Sequence, residues 1–193
     1  MDNSDILIDI KNFTLKYEQK ILFSNFSLSL KNAESVGIFG PTGAGKTSLL
    51  NKIINDYADK IKISCAFQDN CLIEEHSVFK NILLPLQNQM SETDAKEKVN
   101  TWCQKLDLLQ LQNTLCKKLS GGEKQRTNLA RAFAYDGELF LFDEPFSSQD
   151  ENHKNLIKKQ ILQLRNQKTL LIVSHNKNDL EQLCDRIVFF PFH

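Results

Sequence analysis

Gly40-Pro41-Thr42-Gly43-Ala44-Gly45-Lys46-Thr47 constrains this chain more than any other stretch. The apolar run 36–39 before it reads as a buried strand, and residues 46–57 after it read as a helix. Leu49, Leu50, Ile53, Ile54 and Tyr57 form one stripe of that helix. A strand that runs through a glycine-rich loop straight into a helix fits G-x-x-x-x-G-K-[ST] in the setting the pattern requires. Backbone N–H groups of such a loop can wrap phosphates. Lys46 supplies a positive charge to the β and γ phosphates, and the Thr47 hydroxyl can ligate Mg²⁺. A plain strand-to-helix turn does not need three glycines and a lysine at this spacing. The chain has seven glycines, and five of them fall here and at Gly121 and Gly122.

The second glycine stretch is Leu119-Ser120-Gly121-Gly122-Glu123-Lys124-Gln125-Arg126. Ser120 followed three residues later by Glu123 predicts a capping box at a helix start. An ordinary capped helix would explain Ser120 and Glu123, but two adjacent glycines are not needed for capping. A bare helix N-terminus carries partial positive charge and orphan donors, which suits an anion. This start therefore reads either as an ordinary capped helix or as a site for an anion such as phosphate.

Alternating strands and helices imply a mainly parallel α/β sheet. Residues 5–31 read as two strands turning at 17–20, with Phe26, Leu28 and Leu30 on one face. Further strands are expected at 61–68, 139–142, 169–174 and 186–190. Helices are expected at 78–84, stopped near Pro85, and at 91 to about 109, 151–166 and 179–184. Residues 69–118 are mostly helical and rich in polar residues, and read as an insertion between strands. Leu139-Phe140-Leu141-Phe142-Asp143-Glu144 is an apolar strand ending in two carboxylates. The C-terminal strand ends of a parallel sheet line the ligand crevice. Asp143 is thus a candidate Mg²⁺ ligand and Glu144 a candidate for polarising an attacking water. Gln68 and His175 also follow predicted strands, and Tyr17 could stack on a base or simply end a strand.

Composition narrows the classes. Twenty-four basic and 24 acidic side chains give zero formal charge, which argues against a bulk nucleic-acid binder. Five scattered cysteines without C-x-x-C spacing fit reduced thiols. The first residues are acidic and polar, unlike a signal peptide, and no apolar run approaches the roughly 20 residues of a membrane span.

Taken together, the motifs resemble the nucleotide-binding subunit of an ATP-binding cassette (ABC) transporter, over nearly the whole chain and in the family's order. The matches are Tyr17 as the adenine-stacking aromatic, 40–47 as Walker A, and Gln68 as the Q-loop. They continue with 119–126 as the signature, 139–144 as Walker B, Asp150 in the D-loop and His175 as the switch histidine. The resemblance implies a P-loop NTPase with a RecA-like core, an antiparallel β subdomain and a helical subdomain at about 69–130, all in one ATPase domain over 1–193. Only residues 48–67 separate Thr47 from Gln68, so the β subdomain should be reduced.

The implied activity is ATP hydrolysis that powers solute transport, with import favoured. The nucleotide contacts would be Tyr17, Gly40, Pro41, Thr42, Gly43, Ala44, Gly45, Lys46, Thr47 and Ser48. Those to a partner's nucleotide would be Ser120, Gly121, Gly122 and Glu123. Thr47, Gln68 and Asp143 would serve Mg²⁺, and Glu144, His175 and Gln68 the reaction. The resemblance further implies a second cassette, in a homodimer, and transmembrane permease subunits. It places the chain peripherally on the cytoplasmic membrane face, with no direct nucleic-acid contact. Residues 67–70 and 77–86 look most like nitrate/sulfonate-type importers. The alternatives are a non-transport ABC ATPase acting on DNA or ribosomes, and an exporter subunit. One departure stands out: Ser147-Ser148-Gln149-Asp150 carries Gln149 where the family prefers Leu.

Overall fold

The computed structural model describes residues 5–17 and 20–190, excepting the side chains of Tyr17, Lys20 and Leu22. The chain forms two compact units. One comprises the described residues of Met1–Ile63, Glu138–Asp143 and Leu164–His193; the other comprises Ser64–Gly137 and Glu144–Gln163.

In the first unit, strands β1 (Ile6–Tyr17) and β2 (Lys20–Lys31) pair antiparallel. This two-stranded sheet is the reduced antiparallel part expected from the short spacing. Ile8 faces Leu30 and Ile10 faces Leu28, and all four are buried while Asp9 stays outside. The period-two pattern therefore sets the register. The register shifts between Ile10 and Phe13, near Asn12 and Asn25, whose φ angles are +51° and +56°. Asparagine tolerates that conformation better than most residues, which makes it suited to such irregularities.

The parallel strands are β3 (Ser35–Phe39), β4 (Ile63–Ala66), β5 (Leu139–Asp143), β6 (Thr169–Ser174) and β7 (Arg186–Phe189), in the order β4-β5-β6-β3-β7. β5–β6, β6–β3 and β3–β7 are parallel pairs. β5 and β6 are buried along their whole lengths, as continuous apolar runs in parallel sheets should be. Helix α1 (Lys46–Tyr57) follows β3 and buries Leu49, Leu50 and Ile53, with the Tyr57 hydroxyl bonded to the Asp9 main chain. Helix α6 (Lys177–Leu183) packs on β3 and β6; it begins before the expected 179 because Asn176 caps it, accepting from the Asn178 N–H.

The second unit holds α2 (Val78–Leu83), α3 (Glu92–Lys105), α4 (Gly121–Tyr135) and most of α5 (Glu151–Leu164). α2, α3 and α4 pack on one another, and Trp102 of α3 stacks on Phe133 of α4 at 4.7 Å between centroids. Pro85 does not end the helical path abruptly; Leu84–Leu86 continues as a 3₁₀ turn. α3 ends four residues short of the expected 109. Asp107 takes a left-handed φ of +53°, Leu108 N–H donates to Cys103 O at 2.7 Å, and Asp107 N–H donates to Gln104 O at 3.4 Å. This is a Schellman stop with Asp in place of the usual Gly, and Leu108, at the motif's usual apolar position, is buried. The strand expected at 61–68 is only Ile63–Ala66.

Among the described residues, no helix is long and apolar enough to cross a membrane. All five cysteines are free thiols, and burial pushes Cys65, Cys103 and Cys184 up to about 12. These three buried thiols stay protonated at neutral pH.

Candidate functional site: a phosphate cradle and a capped helix start

In the first unit, β5, β6 and β3 end side by side. Phe39 lies level with Ser174, and Asp143 with Val173. The glycine loop leaves β3, His175 leaves β6, and Asp143 closes β5. Gly43 and Gly45 have φ of +81° and +94°, where a side chain is strained. A Cβ on Gly45 would lie 2.5 Å from Leu15 Cδ2, and one on Gly40 would lie 2.9 Å from Phe190 Cβ. Nothing lies within 4 Å of a Cβ on Gly43. The loop is thus fixed by the β1–β2 core at Gly45 and open at Gly43.

α1 starts without a side-chain cap, and its first turn carries no acidic residue. Such a positive end suits an anion. Lys46 is buried and folds back, donating to Gly40 O at 2.8 Å and Pro41 O at 2.7 Å. A buried ammonium on the loop's own carbonyls has the charge to suit an anion. Thr47 Oγ1 donates to Asp143 Oδ2 at 2.6 Å, although the two residues are far apart in sequence. This hydroxyl and carboxylate are hard oxygen donors, which suit Mg²⁺. The structure thus brings together Gly40, Gly43, Gly45, Lys46, Thr47 and Asp143. Pro41, Thr42 and Thr47 are exposed, as is His175, while Ala44 and Ser48 are half-buried. The Tyr17 side chain lies outside the described residues.

The second unit carries Gln68, Ser120, Gly121, Gly122, Glu123 and Glu144. Gln68 is exposed just beyond β4. α4 begins with a full capping box: Ser120 Oγ accepts from Glu123 N–H at 3.3 Å, and Glu123 Oε2 accepts from Ser120 N–H at 2.8 Å. The two glycines differ. A Cβ on Gly122 would sit 2.7 Å from Ser148 O, whereas one on Gly121 would be in ordinary contact at 3.8 Å with Ser148 Oγ. Gly122 is thus required by packing alone. Gly121 is exposed, and packing does not require it.

Glu144 is buried with φ of +50°, and Ser148 has φ of +59°. Strained non-glycine residues persist where surroundings over-determine them, often at functional sites. Polar residues along α4 tie down the Glu144 backbone and, separately, the 67–71 segment. Gln125 donates to Glu144 O at 3.5 Å. Asn128 donates to Phe67 O at 2.8 Å, and Arg131 to Asn70 O and Cys71 O, each at 2.9 Å. Gln125, Asn128 and Arg131 recur every third residue, so they lie near one face of the helix. That polar spacing inside a largely buried helix was the signal by which they could have been found from sequence. Arg126 is also buried; burial lowers its pKa, while Asp107, Glu123 and Asp150 raise it.

The sequence profile of the ABC transporter family matches residues 23–147. The chain is 34% identical to the tungstate uptake system ATP-binding protein TupC of Peptoclostridium acidaminophilum, over 94% of this chain and 93% of that protein. It is 30% identical to the glucose import ATP-binding protein GlcV of Saccharolobus solfataricus, over 94% of this chain but only 60% of that protein. A dimeric bacterial ABC transporter cassette superposes with a TM-score of 0.84 at 28% identity, covering 94% of this chain and 93% of that one. The same cassette in a dimeric post-hydrolysis state, bound to ADP and Pi, gives a TM-score of 0.81 at 27% identity over 93% and 91% of the two chains.

Proposed function

The chain belongs to the ABC transporter family as an ATP-binding and ATP-hydrolysing subunit, and we propose from this that it powers uptake of a solute through separate permease subunits, acting as a cassette dimer at the cytoplasmic face of the membrane. Supporting relatives are named for tungstate and glucose, so they favour import without favouring one cargo. The nitrate/sulfonate-type likeness rests only on residues 67–70 and 77–86.

The observation that carries the mechanism is the uncapped, acid-free start of α1 beside Lys46 and the Thr47–Asp143 pair. Loop amides and Lys46 bind the β- and γ-phosphates of ATP. Thr47 and Asp143 would hold Mg²⁺, with Gln68 as a further contact; when bound, the ion neutralises charge on those phosphates. Glu144 orients water for in-line attack on the γ-phosphorus, His175 stabilises the charge that develops, and Tyr17 stacks on the adenine. Ser120, Gly121 and Gly122 face the γ-phosphate held by a partner cassette. Glu123 serves that contact through the cap, since its carboxylate is bonded to Ser120 N–H.

Glu144→Gln tests this reading. Turnover should fall by roughly 10²–10⁴-fold while ATP binding persists and an ATP-dependent dimer accumulates in light scattering. Near-native turnover would remove Glu144 from its role. No gain in mass with ATP would count against a homodimer.

A further inference from the structure

We propose that Gln149 is a positioning residue for ATP hydrolysis: its carboxamide fastens the loop that carries Glu144 to the start of α4. The proposal rests on Glu144 as the water-orienting carboxylate. Gln149 Nε2 donates to Gly122 O at 3.0 Å and to Ser147 O at 3.4 Å, and Gln149 Oε1 accepts from Arg126 Nη1 at 3.2 Å. Arg126 is itself anchored, since its Nε donates to Leu106 O at 3.1 Å. One neutral side chain thus joins the carbonyl of the glycine pair, a buried guanidinium and the loop's own backbone.

The loop is gripped at both ends. At its start, Glu144 O accepts from Ser147 N–H at 3.1 Å and from Gln125 at 3.5 Å. At its end, Gln149 closes on the first turn of α4, and Ser148 O lies 2.7 Å from where a Cβ on Gly122 would stand. Two left-handed residues, Glu144 and Ser148, lie between these ties. Such backbone relaxes when its ties are cut. Leucine, the residue the family resemblance leads one to expect here, can neither donate to Gly122 O nor accept from Arg126. In this chain the Glu144 loop and the phosphate-facing helix start are therefore one hydrogen-bonded body.

The test compares Gln149→Ala and Gln149→Leu with the native chain, using steady-state ATPase kinetics and amide exchange. kcat should fall on the order of ten- to a hundredfold, the scale of a small misplacement of reacting groups, with KM for ATP unchanged. Exchange at the Ser147 and Lys124 amides should quicken, while 130–133 in the body of α4 exchanges as before. Gln149→Glu keeps an acceptor for Arg126 but turns a carboxylate oxygen toward Gly122 O, and should stay impaired. Native exchange at Ser147 and Lys124, or native kcat in the Ala and Leu variants, would overturn the proposal. Faster exchange along all of α4 would also overturn it, since Gln149 would then be only a stability residue. Glu144→Gln run in parallel separates the two failures. Silent Gln149 variants beside an inactive Glu144→Gln defeat this proposal alone, whereas an active Glu144→Gln defeats the reading beneath it and the proposal together.

Discussion

Two glycine-rich helix starts, one in each unit, solve the same electrostatic problem in opposite ways. α1 opens at Gly45 in a left-handed conformation, with no side-chain cap and no acid in its first turn. α4 opens at Ser120 with both halves of a capping box and Glu123 in its first turn. The first start leaves its positive end uncapped and keeps a second positive group, Lys46, on the loop's own carbonyls. The second is already satisfied as a helix, and what it can still offer an anion is the exposed backbone of Gly121. The proposed triphosphate cradle would need the bare form. In the proposed dimer the α4 start would meet a phosphate only on closure, so it would have to stay folded without one, and the capping box supplies that independence.

The largest break in this comparison should come from Gly45→Ala. The substitution drives a Cβ to 2.5 Å from Leu15 and demands φ of +94°. The left-handed conformation costs about 1–2 kcal/mol and overpacking about 1–3 kcal/mol more. Thermal denaturation should show a loss of that combined size, or the loop should shift and ATP binding fail. Gly43→Ala, with open space around it, should show the conformational part alone.

Lys46→Ala comes next, and its effect is on binding rather than folding. Loss of a charge-assisted contact of about 1.5–3 kcal/mol weakens ATP binding by roughly ten- to a hundredfold. Titration of a fluorescent ATP analogue reads this directly. Unchanged affinity would mean that the bare helix start and loop amides suffice.

The glycine pair sharpens the comparison further. Gly122→Ala should destabilise by about 1–3 kcal/mol, because Ser148 O is backbone and cannot swing aside. Gly121→Ala has ordinary contacts and should be neutral or stabilising by up to about 1 kcal/mol. If Gly121 is the ligand-facing member, that variant nonetheless loses ATPase activity. A Gly121→Ala chain that is both more stable and fully active would reduce the pair to a packing device.

How much of this was legible beforehand depended on the range of each interaction. The limits of α1, the cap of α4 and the alternation of β2 are set by residues a few positions apart, and the sequence showed them. The stop of α3 did not show, because Asp107 takes a conformation usually given to glycine. Pairing a lysine loop with Asp143 could be inferred from strand ends, since a parallel sheet gathers them. The role of Gly122 could not, because it depends on Ser148 O, 26 positions on and brought close only by tertiary folding. Gln149 read merely as a departure for the same reason: its partners, Gly122 and Arg126, lie in another element.

The smallest effect is also the most discriminating. Ser120→Ala removes the acceptor for Glu123 N–H and should cost about 1 kcal/mol, a melting shift of roughly 2–4 °C for a chain of this size. ATP binding by the isolated chain should not change, because the bare cradle belongs to α1. On the proposed dimer, turnover should fall more than the stability loss explains, since there the first turn of α4 would have to keep its shape to meet the partner's phosphate. Loss of ATP affinity in the monomer would mean that the two helix starts are not independent, and that the cap of α4 supports the cradle of its own chain.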